Sequence, residues 1–174
     1  MHPAFSVIFF TVTSGAGYGF IALLGLFNFL YLGMLIDKNT FFICAAVGIS
    51  LFTMGLISST FHLANPKNAW RAFMRFRTSW LAREGLLAII FYPIIFLYLY
   101  FIYIDFQLDY FLLMQTYSLI IFVLSIIIIY CTGMIYACLK TIPQWNTFWT
   151  PINYITIGGS LGALIFFFIF HNLP

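Results

Sequence analysis

The sequence predicts an all-α fold: a polytopic transmembrane helix bundle of about five spans. Composition, run length and the lack of strand periodicity carry that prediction. Hydrophobic residues make up 64% of the chain and charged residues 6%, against about 45–50% and about 25% in an ordinary soluble domain. A surface that apolar calls for a lipid solvent. A helix crosses the hydrocarbon with about 20 apolar residues, and such runs occupy roughly 5–35, 41–63, 84–104, 111–139 and 151–171. None alternates apolar with polar residues as a membrane barrel strand does. Open sheets would leave backbone groups unpaired in lipid. Residues 1–174 therefore read as one transmembrane domain, with an interfacial connection at 64–83.

The first run opens MHPAFSVIFF, with no basic residue ahead of it and no small-residue cleavage pattern, so this span is expected to stay attached. Its SGAGYG segment, residues 14–19, resembles a nucleotide-binding loop only superficially, because no strand precedes it and it lies inside an apolar helix. Gly15 and Gly19 instead make a GxxxG face, as do Gly158 and Gly162 in the fifth run, and such faces let helices approach closely. Asn28 in the first run and Gln115 in the fourth must find partners inside the bundle and are expected to bond between helices. Cys44, Cys131 and Cys138 fall in apolar runs without a CxxC pair, which argues against disulfides or cluster ligation and for packing.

Between the second and third runs lies FHLANPKNAWRAFMRFRTSWLAREG, residues 61–85, with five of the chain's seven basic residues. Asn65 followed by Pro66 reads as the start of a short helix. Lys67, Arg71 and Arg75 recur every four residues, and Trp70, Phe73 and Met74 fall on the other face. That is the pattern of an amphipathic helix lying in the interface. With Arg77 and Arg83 it offers a basic surface for anionic headgroups, for a soluble partner subunit, or for both. No nucleic-acid partner is expected. Thr78 or Ser79 should cap the third span, placing Trp80 at headgroup depth and Arg83 and Glu84 in the first turns.

If the spans alternate, the connections at 64–83 and 140–150 share a side with the N-terminus, and that side holds Lys67, Arg71, Arg75, Arg77, Arg83 and Lys140. The positive-inside rule then predicts a cytoplasmic N-terminus and an external C-terminus. The segment TIPQWNTFWTP, residues 141–151, should be a rigid connection with Trp145 and Trp149 at the headgroups. Pro93 interrupts the third run and is expected to kink it or leave a carbonyl free.

His62 and Glu84 carry the chemistry. One lies about a turn inside the end of the second run, the other at similar depth in the third, so antiparallel helices bring both to the same side. An imidazole that titrates near neutral pH and a membrane-buried carboxyl can together take a proton from a bound hydroxyl and pass it toward water. Ionisable groups within spans are usually functional. The plainer alternatives are that His62 bonds a carbonyl and that Glu84 pairs with Arg83 or another arginine of the connection. A small transporter, or an assembly subunit without a redox role, is the rival class.

MHPAFSVIFFTVTSGAGYG, FHLANPKNAWRAF with its trailing SWLAREG, and MIYACLKTIPQWNTFWTPINY together resemble the membrane-anchor subunit of bacterial dimethyl sulfoxide reductase and its relatives. The resemblance implies a bacterial inner-membrane, multi-pass, non-catalytic anchor in anaerobic respiration. Such an anchor binds menaquinol and passes electrons to a four-cluster iron–sulfur subunit, which feeds a molybdopterin catalytic subunit. It also implies that the anchor holds no haem, iron–sulfur cluster or other metal of its own, that His62 is the quinol-site histidine, and that Glu84 is the proton-handling glutamate. Members of that family are similar in having eight spans, so the resemblance covers their N-terminal part. Menaquinol is expected to enter between the second and third helices and to hydrogen-bond His62.

Overall fold

The computed structural model describes residues 5–30, 36–60, 74–104 and 111–172. Within them lie five helices: α1 (Phe5–Phe29), α2 (Lys38–Thr60), α3 (Trp80–Tyr103), α4 (Phe111–Ala137) and α5 (Trp149–Asn172). All five are long and apolar enough to cross a membrane, and they form the expected polytopic bundle. Each is apolar around its whole circumference, as a helix must be when its outer face meets lipid tails.

Size of side chain decides which helix sits at the centre. The buried face of α1 contains Ser14, Ala16, Gly17, Gly19, Ala22 and Gly25, so neighbouring backbones come close. It packs against α2, α4 and α5. Of its most apolar window 56% is buried, whereas α5, on the outside, buries 11%. Both GxxxG faces make the close contact expected of them, and they make it with each other: a Cβ on Gly19 would strike the backbone of Gly158, and one on Gly162 would strike that of Gly19. Gly17 is just as confined, against the backbone of Gly48 and Phe52 in α2.

α2 and α3 touch little through their backbones, and aromatic rings fill the space between them. Tyr18 of α1 stacks on Phe52 at 4.7 Å and meets Phe91 edge-on at 5.4 Å. Phe52 and Phe91 also meet edge-on at 5.6 Å, and the Tyr92 and Thr53 hydroxyls are 2.8 Å apart. Rings bury large apolar area at such offsets and supply additional electrostatic attraction.

Near the end of the bundle where α1 finishes, the polar residues are paired. Asn28 Nδ2 donates to Tyr98 Oη at 2.5 Å and to Ser118 Oγ at 3.2 Å, and those two hydroxyls lie 3.0 Å from each other. Gln115 Nε2 donates to the Phe29 carbonyl at 3.2 Å. Asn28 and Gln115 thus join α1 to α3 and α4, as their setting in apolar runs predicts.

Some expectations hold and others are corrected. α3 begins at Trp80, ahead of the apolar run that opens at 84, where the expected cap puts it: Ser79, in an extended conformation, accepts from the Ala82 N–H at 3.4 Å. α4 ends at Ala137, so Cys138 is exposed beyond it; only Cys44 and Cys131 are buried. Pro93 lies inside α3 without ending it, and having no N–H it cannot bond the carbonyl one turn back, as the sequence leads one to expect. Most of the interfacial helix predicted from Asn65 onward falls outside the described residues, but Met74 and Arg75, which the spacing puts on it, lie instead in a turn over 74–78.

Candidate functional site

Glu84 lies four residues into α3 from Trp80, about 6 Å along the axis at 1.5 Å per residue. It is 3% exposed, a carboxyl placed where lipid or protein surrounds it on every side. Its hydrogen-bond partner is Thr132 of α4, whose Oγ1 meets Glu84 Oε1 at short range. The same hydroxyl lies 3.1 Å from the Ile128 carbonyl. A threonine hydroxyl has one proton and can also accept. When Glu84 is ionised, Thr132 donates to it; when Glu84 is protonated, Thr132 accepts its proton and donates to Ile128 instead. Both states are bonded with every heavy atom in place, as a group that gains and loses a proton requires.

Arg83, adjacent in sequence, faces elsewhere. Its Nε donates to the Phe76 carbonyl at 3.0 Å and one terminal nitrogen to the Arg77 carbonyl at 2.8 Å. Its guanidinium stacks 4.1 Å from the Trp80 ring. These contacts tie the arginine back to the connection and leave Glu84 to Thr132, so the pairing of Glu84 with Arg83 is not formed. Arg75 and Arg77 are exposed in the turn before α3. His62, Lys67 and Arg71 lie outside the described residues, so the structure places Glu84, Arg75, Arg77 and Arg83 at one end of the bundle and says nothing of the other three.

The second connection at this end is built as the prolines and tryptophans suggest. Asn146 Nδ2 donates to the Ala137 carbonyl at 2.5 Å and Thr150 Oγ1 to the Trp145 carbonyl at 2.7 Å. Trp145 sits edge-on to Tyr136 at 5.5 Å. Trp149 opens α5 with Pro151 in its first turn, the position where proline is tolerated. Trp145, Phe148 and Trp149 are exposed, forming an aromatic border beside the basic turn.

Behind Thr132 is a cavity of about 230 Å³ between α1, α4 and α5, lined in part by Thr11, Tyr18, Thr132 and Tyr154. Val12 and Ile157, on its rim, are exposed on the outer surface of the described bundle. Gly15 and Gly158 line it and still lie close together: a Cβ on Gly158 would stand 3.0 Å from the Gly15 carbonyl oxygen, and one on Gly15 would stand 3.9 Å from Gly158 Cα. Tyr18 is 2% exposed, and its hydroxyl has no hydrogen-bond partner among the described residues. An unpaired buried hydroxyl costs about 1–3 kcal/mol.

Sequence reasoning missed Thr132, Tyr18 and Tyr154. A signal for the first was present: Ser118, Ser125 and Thr132 recur every seven residues in α4 and all three are buried, so one face of an otherwise aliphatic helix carries a hydroxyl every two turns.

Residues 1–172 match the family described as DMSO reductase anchor subunit. A subunit of the sulfite dehydrogenase of Allochromatium vinosum is 33% identical over 189 residues, covering 95% of this chain and 54% of that protein. The chain thus spans about half the length of that relative. No solved structure matches it. Five membrane-crossing helices, a family match over nearly the whole chain and a similar relative agree: this is a multi-pass membrane protein, and it belongs to the DMSO reductase anchor subunit family.

Proposed function

We propose that this chain is the quinol-oxidising membrane anchor of a molybdoenzyme complex in the bacterial inner membrane, acting in anaerobic respiration. Menaquinol is its substrate, and an iron–sulfur subunit that feeds a molybdopterin subunit is its electron acceptor. The observation that carries this reading is the buried Glu84 held by Thr132 at the end that bears the basic turn. Structural carboxyls in a membrane interior are costly and rare, and this one is bonded in either protonation state.

Oxidation of the quinol releases two protons and two electrons. His62 takes a proton from the ring hydroxyl, and Glu84 relays a proton toward the aqueous face about a turn away. The electrons pass to a cluster of the partner subunit docked over the two connections, where Arg75, Arg77 and Arg83, together with Lys67 and Arg71, supply positive charge. By the charge count that face is cytoplasmic. The terminal oxidant is an S- or N-oxide in a dimethyl sulfoxide reductase-like complex. The relative named as a sulfite dehydrogenase subunit supports the broader class, an anchor of a complex acting on a small sulfur compound.

The test compares quinol-driven with dye-driven reduction of an S-oxide by membranes carrying the complex. His62→Arg abolishes the first and leaves the second intact. Unchanged quinol-driven activity in that variant would contradict the assignment.

A further inference from the structure

The sequence-based expectation has the quinol enter between α2 and α3 at His62, which lies outside the described residues; deeper in the bundle the space between these helices is filled. Tyr18, Phe52 and Phe91 are fully buried and in mutual ring contact there, and Thr53 and Tyr92 close it with a hydroxyl contact of 2.8 Å. Opening it would require breaking the aromatic cluster that joins α1, α2 and α3. On the other side of Glu84 the bundle already holds the cavity between α1, α4 and α5.

We propose that the ring of the quinol seats in this cavity, against Thr132, and that Thr132 is the positioning residue through which Glu84 reaches it. The inference rests on quinol being the substrate and deepens it by naming the pocket. Size is the first support. About 230 Å³ is below the roughly 300–1,000 Å³ of pockets that swallow a whole drug-sized molecule, so it suits a flat aromatic head whose isoprenoid tail leaves over Val12 and Ile157, at the rim that is open in the described bundle.

Chemistry is the second support. A ligand with a hydroxyl or carbonyl at each end of an aromatic ring needs donors and acceptors in an otherwise apolar wall, and Thr11, Thr132 and Tyr154 supply them. Tyr18 adds a buried hydroxyl without a partner among the described residues. Thr132 belongs to both sites at once: it lines the cavity and bonds Glu84. Its hydroxyl can switch between Glu84 and the Ile128 carbonyl, so it can turn toward a ring hydroxyl and hand its proton to the carboxyl.

A fluorescent quinol analogue, a hydroxyquinoline N-oxide, tests the pocket when titrated against membranes holding the chain in its complex. Wild type quenches the probe saturably. Thr132→Val, which keeps the shape and removes the hydroxyl, weakens binding about tenfold, as expected for one buried hydrogen bond, and lowers quinol-driven kcat. Thr132→Ser restores both. Ile157→Trp, placed at the exposed rim, blocks the mouth and abolishes quenching while dye-driven activity persists. If Thr132→Val and Ile157→Trp titrate like wild type while His62→Arg loses binding, the ring seats elsewhere and this inference is overturned, with the quinol function intact. Absence of saturable quenching in wild type overturns both.

Discussion

At the end of the bundle where α1 finishes, Asn28, Tyr98 and Ser118 bond one another and Gln115 caps a carbonyl of α1. At the end where α1 begins, a buried carboxyl leans on a threonine, a tyrosine hydroxyl has no partner among the described residues, and a cavity adjoins both. Both clusters hold polar groups inside an apolar bundle, yet only one is closed on itself. A cluster that satisfies its own donors and acceptors is glue, and its net contribution in membrane bundles is modest. A cluster with spare capacity beside a void, containing an ionisable group, has room for a ligand and a reason to exchange protons. The contrast separates structural from functional polarity without any appeal to residue type alone.

Four substitutions break or sharpen that contrast. The largest effect should come from Gly19→Leu, which forces a side chain into the α5 backbone on which both ends depend. It is expected to cost about 3 kcal/mol, the upper end for overpacking, and a thermal melt of the purified protein should show it. Loss of one end alone would mean that the GxxxG crossing is not the common support. Glu84→Gln comes next. It keeps the bond geometry but removes the exchangeable proton, and quinol-driven turnover should fall about a hundredfold, within the range for general acid–base catalysis. Its melting temperature should hold or rise.

Asn28→Leu is the mirror experiment. It removes the donor that joins Tyr98 to Ser118, which still bond each other, and should cost about 0.6–1.7 kcal/mol of stability with quinol turnover per folded molecule unchanged. Smallest is Arg83→Gln. The stacked, partly exposed guanidinium contributes about 0.5–1 kcal/mol, so this variant should loosen the basic turn, visible as faster proteolysis around Met74–Thr78, and leave Glu84 working.

Much of the fold was legible because lipid imposes simple rules. Run lengths located each helix to within a few residues, and the two GxxxG faces were recognised as sites of close helix contact, though not as each other's partner. The start of α3 was legible from its cap rather than from its apolar run, since Ser79 draws Trp80 and Leu81 into the helix ahead of that run. At the site, Glu84 stood out as an acid in a hydrophobic stretch. Thr132 did not, since threonines are common in such helices and its partner is 48 positions away. The cavity was hidden for a different reason. Gly15 and Gly158, which line it, belong to the same motif that brings α1 and α5 into contact at Gly19 and Gly162, and one motif cannot announce both contact and void. Spacing predicts which faces meet; only the crossing geometry decides where they touch and where they part.

The central claim is that the Glu84 end works and the Asn28 end holds. Its most direct test is the ratio of quinol-driven to dye-driven S-oxide reduction in Glu84→Gln and Asn28→Leu membranes, measured side by side. The ratio should be lowered about a hundredfold in the first and unchanged in the second. Equal ratios in the two variants, or a loss confined to Asn28→Leu, would contradict the claim.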